Sequence, residues 1–481
     1  MNPTPTHTSR RTATAWVVAL TAIGSLMAAL DTLVVATSLT TIRLDLGASV
    51  EQLEWTVNAY NLSFAVSLIT AAALGDRYGR RAFYAIGLGL FAAASTASAL
   101  APGVGWLIAA RAVQGLGAAL VLTLGLALLS AAFPPERRGA AIGLFSAVTG
   151  IAVASGPLVG GAIAEGLAWE WIFWLNVPIG LAAIPLVLAR IEESFGGDTG
   201  LDLPGLALIS AAAFGIVWGL VRGNAAGWGS LAVVGALAAG VLLVAAFIAR
   251  ELRAPEPMLP VRLFRSRAFS AGNAAIFLTF GSLFGAVFFF AQMLQNALGY
   301  GPLEAGLRLL PWTITFITVA PIVGTLADRF GERRFMVGGL TLQAVGMAWI
   351  ALIADPGLTY SQFVLPSVVA GVGVSMAIPA AQNSVVGSVA DADLGKAAGA
   401  NSMMRELGGV FGIAIAVAVF AGAGSYASSD AFLDGFAPAV AVLAGFSALG
   451  AIVALALPGR RPTSESLPVG PVPAFESAGG S

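Results

Sequence analysis

Long apolar runs follow one another along almost the whole chain, each closed by a short polar or Gly/Pro-containing break. A helix needs about 20 mostly apolar residues to cross the hydrocarbon of a bilayer. Fourteen runs reach that length, near 14–38, 53–74, 82–101, 106–131, 139–162, 170–190, 203–222, 229–250, 269–297, 304–327, 334–354, 360–387, 397–421 and 436–457. The flanks of 203–222 and 229–250 are the least sharply marked. The pattern predicts an all-α membrane protein with fourteen transmembrane helices.

One break stands out. "ALGDRYGRR" at 73–81 packs four charges between two apolar runs, and "TLADRFGER" at 325–333 repeats it. Asp76 aligns with Asp328, Arg77 with Arg329, Gly79 with Gly331 and Arg81 with Arg333, an offset of 328 − 76 = 252 residues. Both copies join the second and third spans of a six-span block. The sequence therefore divides into an N-terminal tail (1–13), a six-helix bundle (14–190), a linker with two extra spans (191–268), a second six-helix bundle (269–457) and a Pro/Ser/Gly-rich tail (458–481) expected to be disordered. Duplicated parallel halves meeting at an axis along the membrane normal are a transporter architecture.

Charge then sets the sides. With the N-terminus in the cytoplasm, 19 of the 24 basic residues fall on inward loops and tails, and only Arg43, Arg222 and Arg308 fall near the outer side. Cytoplasmic loops carry the excess of Lys and Arg, so both termini are expected inside. Trp55, Trp106, Trp169, Trp171 and Trp228 then sit at outer span ends, as an interfacial aromatic belt would. The first residues, "MNPTPTHTSRR", are polar and read as a tail, not as a cleaved signal.

Composition narrows the chemistry. The 481 residues are 58% hydrophobic and 10% charged, with net charge −1 and mean hydropathy +0.87. That much apolar surface needs lipid as solvent, and the charge balance indicates no nucleic-acid partner. There is no Cys, and the single His is His7 in the tail. Thiolate metal sites, disulfides and Ser–His catalysis within the membrane are unavailable. No Gly-x-x-x-x-Gly-Lys-Ser/Thr phosphate loop is present.

Deep charges are few, and each near mid-bilayer costs roughly 2.5–3.5 kcal/mol on insertion scales. Asp31 lies about 25 Å along span 1, at ~1.5 Å per residue, and Arg111 lies about five residues into span 4. Both fall in the outer half, at compatible depths. One reading is a structural ion pair. The other is a proton site: burial favours the neutral acid, and a nearby Arg or bound cation favours the carboxylate. A cationic cargo and a proton would then exclude each other. Arg405 and Glu406 near the inner third of span 13 have the same two readings. As helix neighbours about 100° apart, they need not pair with each other.

Several motifs carry a resemblance. Residues 72–81 resemble the loop signature Gly-x-Leu-Ala-Asp-Arg-x-Gly-Arg-Lys of the major facilitator superfamily, with Ala72 at its first Gly and Arg81 at its Lys. "RAVQGLGAA" (111–119) resembles the fourth-span signature. "GPLVGG" (156–161), with Gly156, Pro157, Gly160 and Gly161, resembles the antiporter signature of span 5. "LDTLVVATSLTTI" (30–42) loosely resembles the first-span pattern of the fourteen-span drug:proton antiporter branch, with Thr40 where Pro is usual. "WEWIFWLNVPIG" (169–180) resembles that branch's entry to span 6. The likeness covers about 14–457.

The resemblance implies the major facilitator fold, two six-helix bundles plus an inserted helix pair. It implies proton coupling through Asp31 and Arg111, with Arg405 and Glu406 as further candidates. It also implies a gating loop, Gly75, Asp76, Arg77, Gly79, Arg80 and Arg81, in which Asp76 meets the start of span 13 near Ala397–Ala400. Asp328, Arg329, Gly331 and Arg333 form its second copy. Candidate cavity residues are Asn58, Tyr60, Asn61 and Phe64, then Gln292, Gln295 and Asn296, and Trp312, Gln343, Gln382 and Asn383. A mostly apolar pocket suits bulky lipophilic compounds.

The expected activity is export of lipophilic drugs or antibiotics, cations among them, across the inner cell membrane in exchange for protons. A monomer using the proton motive force and no cofactor is expected. Alternatives are a dedicated exporter of one endogenous metabolite or lipid, and a transporter-like sensor. A membrane enzyme is disfavoured, since His, Cys and clustered carboxylates are lacking.

Overall fold

The structure is a computed structural model that describes residues 7–133, 145, 148, 152, 155, 156, 158–196, 202–255, 257, 259, 261–389 and 394–458. Side chains at 7–13, 32, 33, 36, 50, 325, 328, 329, 386, 394 and 395 lie outside the description. Among the described residues there are helices and no strands. They are α1 (His7–Leu46), α2 (Val50–Tyr78), α3 (Arg80–Ala99), α4 (Val104–Ala132), the helical residues 158–166 (α5), α6 (Trp171–Trp174), α7 (Asn176–Arg190), α8 (Leu203–Ala226) and α9 (Leu231–Glu251). The second half holds α10 (Arg267–Asn296), α11 (Pro302–Arg308), α12 (Leu310–Phe330), α13 (Glu332–Ile353), α14 (Tyr360–Val386), α15 (Leu394–Ala423) and α16 (Ser429–Ala454).

Thirteen helical stretches among the described residues are long and apolar enough to cross a membrane. Each matches one predicted span. The fourteenth, 139–162, falls largely outside the description. The helices overrun the apolar runs: α1 extends beyond 14–38 at both ends, and α16 starts at Ser429 where the apolar run starts at 436. Helix hydrogen bonding continues past the hydrocarbon until a cap stops it. Ser428 is such a cap, accepting from the Ala431 N–H at 3.1 Å. The span at 304–327 is two helices, broken at Leu309 just before Pro311.

The internal repeat is visible in the backbone. Gly79 at φ 114° ends α2 and starts α3, and Gly331 at φ 87° does the same for α12 and α13. A one-residue reversal between helices needs a left-handed conformation that only glycine adopts without cost. Each glycine N–H returns four residues, to Gly75 O and Ala327 O.

One core belongs to the first half alone, and a second joins residues of both halves. α4 lies along α2 and α3, and α7 covers α3; in the second half α10 packs on α15 and α16, and α13 on α14 and α16. The second core is rich in rings, with Phe289, Phe290, Phe363, Phe420, Phe432 and Phe436 all buried. The inserted α8 and α9 pack on each other, and α8 touches α2 and α15. α9 is largely exposed, as a lipid-facing helix would be. The two halves meet where α2 runs along α15 and where the end of α1 meets α10 and α11.

Three of the five belt tryptophans, Trp106, Trp171 and Trp228, are about half exposed. Trp55 packs on Phe214 of α8, ring centroids 5.6 Å apart. Trp169 departs from the belt: it is buried, and its indole N–H donates to Asp45 Oδ2 at 2.8 Å. An indole that finds a carboxylate beside the end of α1 gains more there than at the lipid headgroups.

A buried carboxylate cluster in the first helix block

Asp31 sits on α1 and is 3% exposed. Arg111, on α4, is fully buried and donates through Nη1 to Asp31 Oδ2. It also donates through Nη1 to Gln114 Oε1 at 2.8 Å and through Nε to Thr56 O at 3.1 Å. Its guanidinium lies over the Tyr60 ring, 4.2 Å from the centroid. Gln114 donates from Nε2 to Asp31 Oδ1 and to Ser95 Oγ, both at 2.9 Å. Asn176, at the start of α7, donates to Asp31 Oδ1 at 3.0 Å. Side chains from α1, α3, α4 and α7 thus converge on one carboxylate, with three different residues donating to it.

The local sequence explains the convergence. In "RAVQGLGAA", Arg111 and Gln114 are three residues apart and share a helix face. Gly115 and Gly117 let α4 approach its neighbours. A Cβ on Gly115 would lie 2.3 Å from Tyr60 O of α2, and one on Gly117 would lie 2.7 Å from Phe91 N of α3. The short α6 turn before Asn176 carries Ile172, whose carbonyl is the Asn176 amide's other acceptor, at 3.5 Å.

The compatible depths read for Asp31 and Arg111 are a direct contact in the fold. Gln114, Ser95, Thr56 and Asn176 had no assigned role in the sequence. The only signal for them was that two of the motifs, "RAVQGLGAA" and "WEWIFWLNVPIG", each contain one buried amide.

The other predicted residues scatter. Tyr60 and Phe64 face the first core; the Tyr60 hydroxyl donates to Ala28 O at 3.1 Å. Asn58 donates to Glu54 Oε1 at 3.0 Å, one turn back on α2. Gln295 donates to Thr37 O at 2.9 Å and Asn296 to Thr40 Oγ1 at 3.3 Å, so these two tie α10 to the end of α1. Gln292 instead bonds the Tyr426 hydroxyl. Trp312 packs between Phe290 and Phe316. Gln343 is buried against the α14 backbone at Gly373. Gln382 is half-buried and Asn383 exposed. Pro157 and the side chains of Asp328 and Arg329 lie outside the described residues.

Arg405 and Glu406 pair, Nε to Oε1 at 2.8 Å, with Glu406 buried and Arg405 partly exposed. Helix neighbours need not pair, but the length of the Arg405 side chain lets it reach round the helix to Glu406. Asp76 pairs with Arg80 one turn on, at 2.7 Å. Glu193 accepts from the N–H groups of Arg81 and Ala82, capping α3. Arg81 Nη1 donates to Leu188 O and Ile191 O. The loop is thus tied to Leu188 at the end of α7 and to Ile191 and Glu193 just after it. Among the described residues, the side chain of Asp76 bonds to Arg80 and not to residues 397–400.

Comparison with known proteins bears on the same architecture. The family model of the Major Facilitator Superfamily matches residues 21–292 and 272–476. The tetracenomycin C resistance and export protein of Streptomyces glaucescens is 38% identical over 82% of this chain and 73% of its own length. The cephamycin export protein of Amycolatopsis lactamdurans is 33% identical over 92% of each. Multidrug resistance protein Stp of Mycobacterium tuberculosis (strain CDC 1551 / Oshkosh) is 34% identical over 83% of this chain and 75% of its own. A D-xylose-proton symporter shares the fold, with TM-score 0.66 over 93% of this chain and 98% of that one, at 15% identity. The molecule is a multi-pass membrane protein of transporter architecture. The chain belongs to the major facilitator superfamily and resembles that family's antibiotic-export members.

Proposed function

We propose that this protein is a proton-coupled antiporter of the inner cell membrane that exports lipophilic drugs or antibiotics, cations among them, by alternating access. The observation that carries the reading is the Asp31 cluster. A membrane-buried acid with an Arg partner and two amide donors is a site where a proton can be taken up and released. The relatives above, named as export and resistance proteins, support export. No cofactor or catalysis enters the reading; the driving force is the proton motive force, about 2.3 kcal/mol per charge per 100 mV.

The working unit is a monomer of two bundles, 14–190 and 269–457, with 191–268 as an inserted pair and both termini in the cytoplasm. In that orientation the Gly79 and Gly331 reversals face inward, and the ties of Gln295 and Asn296 to α1 close the outer end. Asp76 and its repeat would meet the other half when the inner end closes instead.

A second reading is an exporter dedicated to one natural product, which the single-antibiotic names of several relatives favour. The drug-sensitivity spectrum of a deletion strain separates the two. The test of the main reading is flux in proteoliposomes. An imposed pH gradient should drive ethidium accumulation by the wild type, and Asp31→Asn should abolish it. Gradient-driven flux at the wild-type rate in Asp31→Asn would remove Asp31 from the mechanism.

A further inference from the structure

A second acid in the first half has no place in the preceding reading. Glu54 lies one turn into α2 and is fully buried. Its Oε1 accepts from Asn58 Nδ2 at 3.0 Å, and its Oε2 has no partner. Asn58 Oδ1 and Asn61 Oδ1 are likewise buried and unpartnered. Positions 54, 58 and 61 fall at i, i+4 and i+7, on one helix face. Three acceptor oxygens therefore stand in a row without donors. Burying such a group is costly unless something satisfies it.

The row looks away from Asp31. Arg111 lies over Tyr60, which at ~100° per residue points about 240° round α2 from Glu54. Ala65 shares the Glu54 face and packs in a cluster with Ala397, Ala400, Met403 and Leu407 of α15. The Glu54 row thus faces the seam where the two halves meet. The Asp31 cluster is enclosed within the first half. Ala397, Ala400, Met403 and Leu407 of α15 offer that cluster no donor, and the three oxygens of the row have no partner among the described residues.

Charged and titratable groups around the row are few. Glu51, one turn back, is 3.6 Å from Arg222 of α8. Arg43 of α1 lies over Tyr426, 4.5 Å from its centroid, and Tyr426 is within electrostatic reach of Glu54. Arg111 of α4 is engaged by Asp31 and Gln114. Among the described residues Glu54 forms no ion pair, and its Oε2 has no hydrogen-bond partner.

We propose that Glu54, with the amide oxygens of Asn58 and Asn61, is a cargo site at the seam between the halves that takes a protonated amine. A neutral Glu54 carboxyl and an incoming ammonium would yield a carboxylate–ammonium pair and one free proton. The N–H groups of the ammonium supply the donors the row lacks, and the carboxylate supplies the charge. When the halves part along this seam, the row is what the cargo meets. Asp31 then couples from behind α2, through Arg111 and the Thr56 carbonyl. This deepens the proposed export function and rests on it.

Purified protein in nanodiscs tests the site, with dodecylamine as the ammonium probe and rhodamine 6G and tetraphenylphosphonium as probes of increasing departure from a primary amine. Dodecylamine binding to the wild type should release a proton into weakly buffered solution. Glu54→Gln should lose that proton and bind dodecylamine at least about tenfold more weakly, about 1.4 kcal/mol. Its tetraphenylphosphonium affinity, which needs no N–H acceptor, should change less. Unchanged dodecylamine affinity and proton release in Glu54→Gln would overturn the proposal.

Should Glu54→Gln fail to fold, the wild type still decides. Dicyclohexylcarbodiimide modifies buried protonated carboxyls, and mass spectrometry locates the adduct. Glu54 should be labelled, and dodecylamine should protect it; labelling that dodecylamine does not change would count against the site. The antiport reading fails separately. If no pH gradient drives flux in the wild type, coupling is absent, while the affinity change at Glu54→Gln still judges the site.

Discussion

Arg111 does four things at once that a lysine cannot. Its fork reaches Asp31 and Gln114 through one nitrogen and Thr56 O through another, while its plane lies on Tyr60. A lysine brings a single point of charge. Arg111→Lys should keep some attraction to Asp31 but release Thr56 O and the ring. Removing one partner of a buried pair costs about 3–5 kcal/mol, so Arg111→Ala should lower the melting temperature sharply and Arg111→Lys less. Both should cut gradient-driven efflux by at least about tenfold. Wild-type flux in Arg111→Lys would show that charge alone suffices. Asp31 and Arg111 were legible in the sequence because formal charges are rare inside spans. Gln114 and Asn176 were not, because a neutral amide in a span looks the same whether it binds another helix or a carboxylate. Glu54 escaped because it stands near the edge of its apolar run, where an acid is unremarkable until its burial is known.

At the scale of elements, close approach decides where side chains meet. Gly115 has no room for a Cβ against Tyr60 O, whereas Gly105, on the same helix, has nothing within 4 Å of that position. Gly115→Val should push α4 from α2 and destabilise by about 1–3 kcal/mol, the usual cost of overpacking. Gly105→Ala should be neutral or slightly stabilising. Paired melting curves in detergent check the contrast, and equal curves would refute it. The inserted pair offers a pH test. Asp202 caps α8, accepting from the Gly205 N–H at 2.8 Å and from Arg250 Nη2 of α9 at 2.8 Å. Burial pushes its carboxyl up, but the Gly205 N–H and the Arg250 guanidinium outweigh that and hold it below the ordinary range. A depressed acid contributes stability above its unfolded value, near 3.9, and loses it as pH falls through the folded value. Asp202→Ala should therefore destabilise the fold near neutrality by about 1 kcal/mol, read as a lower melting temperature. The gap to wild type should close in acid. A gap that widens on acidification would reverse the assignment. The spans themselves were readable from run length. Helix ends were less so, since caps such as Ser428 lie outside the apolar runs.

For the whole molecule, the question is which end is shut. Among the described residues, the polar ties across the halves gather at one end. Gln295 and Asn296 of α10 reach Thr37 and Thr40 of α1, Glu165 accepts from Leu303 N at 2.9 Å, and Arg43 lies on Tyr426. At the opposite end, Asp76 bonds Arg80 and Arg81 bonds Glu193 just past α7, with no partner from the second half among the described residues. The repeat predicted both reversals. Gln295 and Asn296, which the sequence offered as cavity residues, bond to Thr37 and Thr40 of α1; a polar helix end facing another helix end makes the same sequence pattern as a polar cavity wall. Because the chain has no cysteine, this closure can be fixed cleanly. Thr40→Cys with Asn296→Cys puts one thiol on each side of it. Oxidation should form the crosslink in membranes without cargo and stop gradient-driven efflux, and reduction should restore it. Binding of ethidium from the Gly79 side should survive the crosslink. If the crosslinked protein still turns over, the halves do not part at this end, and alternating access through it is wrong.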